Sequence, residues 1–118
     1  MNGLPPEVDL SPLQGREVIQ LCFGLHDFEI RFDKDARIMV EGDSIFRRSG
    51  TRPKRIRKYW RFASELSVVL GYTVSTVSRR DDGGLLLQFS NRIELQLLND
   101  SENYESFHLY LNGRSYVA

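Results

Sequence analysis

Apolar and polar residues alternate along several short stretches of this chain, and the alternation constrains the fold more than any other feature. The clearest stretches are FEIRF from Phe28, LLLQF from Leu85, IELQL from Ile93 and FHLYL from Phe107. Successive side chains of a strand point to opposite faces, so each stretch predicts a strand with one buried face and one exposed face. Such strands are typical of antiparallel sheets. Turn residues between them, such as Gly83-Gly84 and Asn112-Gly113, favour tight hairpins.

A single helix is predicted between the two groups of strands. Phe62, Leu66, Val69 and Leu70 recur at helical spacing, and Gly71 follows them at the position that usually ends a helix. A shorter helical turn is predicted at 11–15, before the first group. We therefore predict a β-dominated α+β fold with about eight short antiparallel strands and one main helix. The strands would form a strongly bent sheet or a partly open barrel.

The chain contains a degenerate internal repeat with a shift of 56 to 57 residues. Asp43 aligns with Asp100, and the other aligned positions are apolar in both copies. The apolar pairs are Val18 with Val74, Leu21 with Val77, Phe32 with Phe89, Ile38 with Leu95 and Val40 with Leu97. The two copies span about 13–48 and 66–111, and each predicts a helical lead-in followed by three strands. The spacing of Val18/Leu21 and Val74/Val77 breaks strict alternation, which predicts a β-bulge in the first strand of each copy. A period this long with only two copies favours one pseudo-symmetric domain over a solenoid.

Length and composition are those of an ordinary globular domain. The chain has 118 residues, of which 41% are hydrophobic and 27% charged, and we expect one domain over 1–118. Cys22 is the one cysteine, so no internal disulfide and no cysteine-rich zinc site can form. The N-terminus resembles no signal peptide, and no apolar run approaches the ~20 residues of a membrane span. We therefore expect a cytoplasmic protein that does not bind membranes.

Charge is balanced over the whole chain but not along it. Eight of the sixteen basic residues lie between positions 47 and 61, with no acidic residue among them. We call 47–61 the basic segment. Such a run can steer an acidic partner or a phosphate backbone towards the protein. It can equally be a connector that folds back over the acidic remainder of the chain, and the sequence favours this second interpretation.

Residue types that support catalysis or metal binding are present but poorly spaced. Cys22 and His26 lie four residues apart on a strand and its turn, beyond hydrogen-bond reach unless the turn folds back. His26 and His108 are distant in sequence and form no histidine pair of metal-binding spacing. Asp81-Asp82 precedes two glycines and is typical of a hairpin turn. We therefore expect no enzymatic activity, no cofactor and no metal ion.

The second copy carries a more specific pattern, which reads LGYTV, then GGLLLQF, then a polar turn and a hydrophobic strand, then YESF at 104–107. Over residues 66–111 it resembles a family of small, uncharacterised bacterial β-rich domains that end in a Y-E-[SA]-[WF] motif. This chain has Phe107 where tryptophan is usual, and Asn91 where Asp-Gly is commoner. Domains of this kind resemble the immunity proteins of bacterial toxin systems. The resemblance implies no catalytic residues.

These observations together favour a non-enzymatic protein-binding module, and the resemblance implies an immunity-type protein that neutralises a toxin. The alternative is a nucleic-acid-associated accessory domain that uses the basic segment, because Tyr59 and Trp60 beside cations can stack on bases. Both hypotheses place the function on exposed charged or aromatic side chains. The candidate partner-binding residues are Arg52, Lys54, Arg55, Arg57, Lys58, Trp60, Asp100, Glu102 and Glu105.

Overall fold

The computed structural model describes residues 3–100 and 105–118. Within these ranges the chain forms ten strands, and the order of elements agrees with a β-dominated fold. The strands are β1 (Val18–Phe23), β2 (Phe28–Phe32), β3 (Arg37–Val40), β4 (Ser44–Arg47), β5 (Lys54–Ile56), β6 (Val74–Arg79), β7 (Leu85–Phe89), β8 (Glu94–Leu97), β9 (Phe107–Leu111) and β10 (Arg114–Val117). The predicted count of about eight strands is therefore too low.

The strands form two antiparallel sheets of five strands each, not one bent sheet or a partly open barrel. The first sheet has the order β1-β2-β3-β9-β10, and the second has the order β5-β4-β8-β7-β6. Each sheet thus combines a three-stranded meander with two strands from a distant part of the chain. The prediction of a single sheet is wrong because β4 and β9 do not continue beside the strand that precedes them; each crosses to the opposite sheet.

The strands missed by the sequence prediction include two around the basic segment. β4 pairs with both β5 and β8, and β5 lies inside the segment that was predicted to be a connector. Two of the three residues of β5 are cations, so the sequence shows no apolar–polar alternation there. Lysine is also depleted in strands. Of the three residues of β5, only Ile56 is buried. Pairing with β4 therefore decides the conformation of β5.

The predicted helix is present but short. α1 (Ala63–Leu66) is flanked by 3₁₀ turns at Tyr59–Phe62 and Ser67–Val69. Leu66 and Val69 face the core as predicted, whereas Leu70 is exposed. A third 3₁₀ turn at Ser11–Leu13 agrees with the predicted helical turn. Gly71 adopts a φ of 82°, which favours glycine and ends the helical region.

The first strand of each meander contains the irregularity that the sequence predicts. The register between β1 and β2 shifts between Val18 and Gln20, and the register between β6 and β7 shifts between Val74 and Thr76. Just before these shifts the two sheets contact each other through an isolated antiparallel bridge between Glu17 and Thr73. The bulges thus lie next to the point where the backbones that lead into β1 and β6 meet.

The buried faces of both sheets contribute to one hydrophobic cluster. Phe28 stacks on Tyr59 with ring centroids 4.8 Å apart, and the Tyr59 hydroxyl donates a hydrogen bond to the carbonyl oxygen of Gly42 at 2.8 Å. The end of the basic segment is therefore fixed to the core through Tyr59. Among the described residues, none of the helices has both the length and the hydrophobicity needed to cross a membrane.

Candidate interaction surface

Half of the basic segment is neutralised by acidic side chains of the same chain. Lys54 Nζ lies 2.7 Å from Glu65 of α1. Arg47 of β4 pairs with Glu94 on the neighbouring strand β8 at 3.2 Å. Arg55 and Arg57 both contact Asp43. These four cations fold back over acidic residues, which agrees with the interpretation that the sequence favours.

Arg55 lies at the centre of this neutralised group. Its Nε donates a hydrogen bond to Asp43 and its Nη2 to Asp100, both at 2.8 Å. The hydrogen bond to Asp100 and then that to Asp43 raise the pKa of Arg55 further above its usual value. The guanidinium therefore remains charged and links the start of β4 to the end of β8. Because Arg55 is about half exposed, this arrangement contributes little to stability.

The other four cations have no acidic partner in the part of the chain that the structure describes. They are Arg48 and Arg52 in the β4–β5 turn, and Lys58 and Arg61 beyond β5. Trp60 lies between Lys58 and Arg61, and its side chain is 44% exposed although it is the one tryptophan of the chain. The Arg61 guanidinium lies 5.2 Å from the centroid of the Trp60 ring. We call Lys58, Trp60 and Arg61 the tryptophan patch.

A groove of about 510 Å³ lies beside the β4–β5 turn. Arg47, Thr51, Ser75, Arg92 and Glu94 contribute to its walls. Glu94 already pairs with Arg47, whereas Arg92 makes no ion pair among the described residues. The groove is open to solvent and has charged residues in its walls, so it extends the charged surface of the turn.

The acidic residues predicted as partner-binding have different environments. Asp100 contacts Arg55, so two predicted residues that are distant in sequence form one ion pair. Glu105 contacts His108 on β9. Glu102 lies outside the described residues, as does Tyr104 of the Y-E-S-F string. The three acidic candidates therefore do not form one described surface.

Sequence reasoning identified the cations but missed the residues that neutralise them. Asp43, Glu65 and Glu94 were not predicted as part of the site, although each pairs with a residue of the basic segment. One signal was present: Asp43 and Asp100 occupy equivalent positions in the internal alignment, and both contact Arg55.

Cys22 lies on β1 opposite Glu29, and His26 follows in the turn after β1.

Comparisons of the chain with protein-family models, with curated proteins and with solved structures find no match. The resemblance to small bacterial β-rich domains therefore stays a prediction.

Proposed function

We propose that this chain is a non-enzymatic protein-binding module whose contact surface is centred on the tryptophan patch. The observation that carries the proposal is the exposure of Trp60 beneath the Arg61 guanidinium. Tryptophan and arginine are enriched among the residues that contribute most to protein–protein binding. A large aromatic side chain at the surface loses little conformational entropy when a partner covers it.

The distribution of unpaired charge favours an acidic partner. Arg48, Arg52, Lys58 and Arg61 make no ion pair with an acidic side chain among the described residues, whereas the neighbouring cations do. Exposed cations that remain unpaired accelerate encounter with an acidic surface and act mainly on the association rate. Of the cationic and aromatic candidates predicted from the sequence, Arg52, Lys58 and Trp60 therefore remain as the proposed partner-binding residues. Lys54, Arg55 and Arg57 already pair with acidic side chains of the same chain.

The resemblance to immunity-type domains suggests the kind of partner. We propose that the partner is a toxin of the same bacterial cell, blocked by occlusion in the cytoplasm. This part of the proposal rests on the resemblance.

Nucleic acid is the second candidate partner, because Trp60 next to Lys58 and Arg61 can also stack on a base while the cations contact phosphates. The two candidates differ in their response to salt. Four phosphate contacts predict a roughly hundredfold loss of affinity between about 50 and 200 mM salt. A protein interface with an aromatic centre keeps most of its affinity over that range.

The experiment compares Trp60→Ala and the double variant Lys58→Glu/Arg61→Glu with the wild-type chain. Each immobilised protein is exposed to a nuclease-treated extract of the host, and retained proteins are identified and purified. We expect Trp60→Ala to raise the dissociation constant roughly thirtyfold, as for a binding hot spot of about 2 kcal/mol. We expect the charge reversals to slow association.

Arg114→Glu is the matched control, since Arg114 is exposed on β10 and makes no ion pair among the described residues. The control variant should bind like wild type. Equal binding of a purified partner by wild type and Trp60→Ala would place the interface elsewhere. Fluorescence anisotropy with labelled oligonucleotides at the two salt concentrations tests the alternative, and tight, salt-sensitive binding there would replace the protein-binding proposal.

We also propose that 13–48 and 66–111 are two copies of one structural unit. Backbone hydrogen bonds at equivalent positions support this. The Gly15 N–H donates to Val74 while the Gly71 N–H donates to Val18. Phe32 and Phe89 each donate to the residue four positions later, at 2.8 Å. In this arrangement β4 and β5 correspond to β9 and β10, because each pair of strands completes the opposite sheet. The run of cations is what the second half does not reproduce, since residues 107–118 contain one arginine and no lysine. A function specific to these charges therefore fits the pseudo-symmetric chain.

A further inference from the structure

Three side chains with metal-ligating atoms converge at the first sheet. Glu41 follows β3, Glu105 precedes β9, and His108 lies on β9. One ligand atom from each lies within 4.8 Å of the other two. Nε2 of His108 is 2.5 Å from a carboxylate oxygen of Glu105 and 3.7 Å from one of Glu41.

Backbone pairing brings Glu41 and His108 together. β3 and β9 are adjacent strands inside the first sheet, and Met39 pairs with His108. The N–H groups of Glu41 and Gly42 both donate to the carbonyl oxygen of Ser106, at 2.9 and 2.8 Å. These hydrogen bonds hold the end of β3 beside the residues that lead into β9 without a bound ion, and such support is a requirement of an effective metal site.

The position of His108 supports the same centre. Its Nε2 atom is buried. Nε2 faces a carboxylate oxygen of each glutamate, so the buried nitrogen and both carboxylates surround one small volume. A metal ion in that volume would bind all three groups.

Charge supports the same conclusion. Neither Glu41 nor Glu105 contacts a lysine or arginine among the described residues. The nearby Arg31 and Arg37 pair with Glu29 instead. Two carboxylates and a neutral imidazole carry a charge of −2, which a divalent cation neutralises. Zinc accepts imidazole nitrogen and carboxylate oxygen at about 2.0–2.2 Å, so its ligand atoms lie roughly 3.4 Å apart in a tetrahedral site. Small side-chain rotations bring the three atoms to that spacing.

We propose that Glu41, Glu105 and His108 bind a divalent transition-metal ion of the zinc type. The nitrogen ligand selects against magnesium and calcium, which prefer oxygen ligands alone. Three protein ligands leave a fourth position open. The bound ion links the end of β3 to the segment that leads into β9.

The test uses the full chain, freed of metal by a chelator and titrated with zinc chloride in a calorimeter. We expect one Zn²⁺ per chain and a rise in melting temperature on binding. His108→Gln should weaken binding at least tenfold and abolish the thermal shift, and Glu41→Gln should weaken binding several-fold. Cobalt(II) substitution should give the visible absorption of a low-symmetry site, and this absorption should be lost in His108→Gln.

His26→Gln and Cys22→Ser are the matched controls, because they remove the other histidine and the one thiol of the chain. Both should bind zinc like wild type. Circular dichroism verifies that each variant is folded, and the ¹⁵N resonance of His108 Nε2 in the wild-type chain reports ligation without any substitution. Zinc binding that survives His108→Gln, or a His108 ring that stays protonated at saturating zinc, would overturn the proposal in favour of a histidine–glutamate ion pair.

Discussion

Asp82 accepts hydrogen bonds from three residues around the β6–β7 turn. Its Oδ1 accepts hydrogen bonds from the Gly84 N–H at 2.8 Å and from Arg80, and its Oδ2 accepts one from the Asn99 N–H at 3.1 Å. Burial alone would raise the pKa of Asp82, but the hydrogen bonds from Gly84, Asn99 and Arg80 together lower it below its usual value. The charged form is therefore the form that stabilises the β6–β7 turn.

We expect Asp82→Asn to lower the free energy of unfolding by about 1–2 kcal/mol at pH 7, because hydrogen bonds to a charged acceptor are lost. A carboxylate with a depressed pKa stabilises the fold above its unfolded pKa of about 3.9, and this stabilisation is lost as pH falls through the folded pKa. The difference between wild type and variant should thus be full above about pH 5 and shrink below about pH 4. Urea unfolding across this range measures it.

Asp81→Asn is the control, because Asp81 is exposed and adjacent. It should change stability by less than about 0.5 kcal/mol at any pH. A difference between Asp82→Asn and wild type that stays constant down to pH 3 would contradict the role of the charge.

At this scale the sequence predicts the turn but not its contacts. Asp82-Gly83-Gly84 was predicted as a hairpin turn, which is correct. The contact of Asp82 with Asn99, at the end of a different strand, depends on sheet register and cannot be inferred from neighbours in sequence. The same holds for His108 and Glu41, since the spacing of histidines gave no indication that β3 would bring a glutamate beside β9.

The strands themselves were predictable where one face is apolar. β7 and β9 alternate between buried and more exposed residues, and their hydrophobic pattern was sufficient. β2 was also predicted from its alternation, although Glu29 is buried with its neighbours on that strand. β5 was missed because its conformation comes from tertiary contacts. The predicted helix is longer than α1. The Ser67 side chain donates a hydrogen bond to the Ser64 carbonyl, and two β-branched residues follow it. Both features weaken helix propagation.

β5 is the edge strand of the second sheet, and its cations have a structural use as well as a functional one. An edge strand exposes unpaired backbone groups, and lysine or arginine there opposes pairing with another chain. Arg55 lies on β5 and Arg57 follows it directly, and both contact Asp43. Part of the basic segment is thus explained by protection of the edge, and the cations that require another explanation are those without an acidic partner.

Limited trypsin digestion separates these two groups of cations. We expect the first cleavage after Arg48 in the exposed β4–β5 turn, since cleavage requires a locally accessible chain and the bond after Arg52 precedes Pro53. Cleavage after Arg55 and Arg57 should be slow in wild type. Asp43→Asn should accelerate it several-fold, because both arginines lose their shared carboxylate.

Asp100→Asn serves as the comparison, since it removes only the contact with Arg55. It should accelerate cleavage less than Asp43→Asn does. Rapid cleavage after Arg57 in wild type would mean that β5 is not docked in solution, and the whole basic segment would then again be a candidate for partner binding.

At the scale of the molecule, the two sheets are interlocked. After β3 the chain leaves the first sheet for β4 in the second, and after β8 it leaves the second sheet for β9 in the first. β3 therefore pairs with β9, and β4 pairs with β8. The internal repeat predicted two similar three-stranded units, but it could not predict this exchange, because strand partners across such a distance are set by the packing of the common core.

The exchange predicts that neither half of the chain is stable alone. We expect a fragment of residues 1–57 to lack cooperative unfolding, because β3 and β4 would expose their unpaired edges and the buried side chains of β1–β3 would lose the opposite sheet. A fragment of residues 58–118 should fail for the corresponding reason, because β8 and β9 each keep one neighbouring strand and lose the other. An equimolar mixture should recover near-ultraviolet circular dichroism, and its Trp60 fluorescence should follow a cooperative unfolding transition.

This reconstitution has two controls. One is the intact chain, and the other is a mixture in which the second fragment carries Phe89→Ala. Phe89 is 2% exposed within the common cluster, so its truncation removes about 3–5 kcal/mol and should prevent assembly of the fragments. Cooperative unfolding of the 1–57 fragment by itself would show that a meander with β4 and β5 is self-sufficient. That outcome would contradict the interlocked arrangement, because a fold built on exchanged strands cannot be stable when only one partner of each exchanged pair is present.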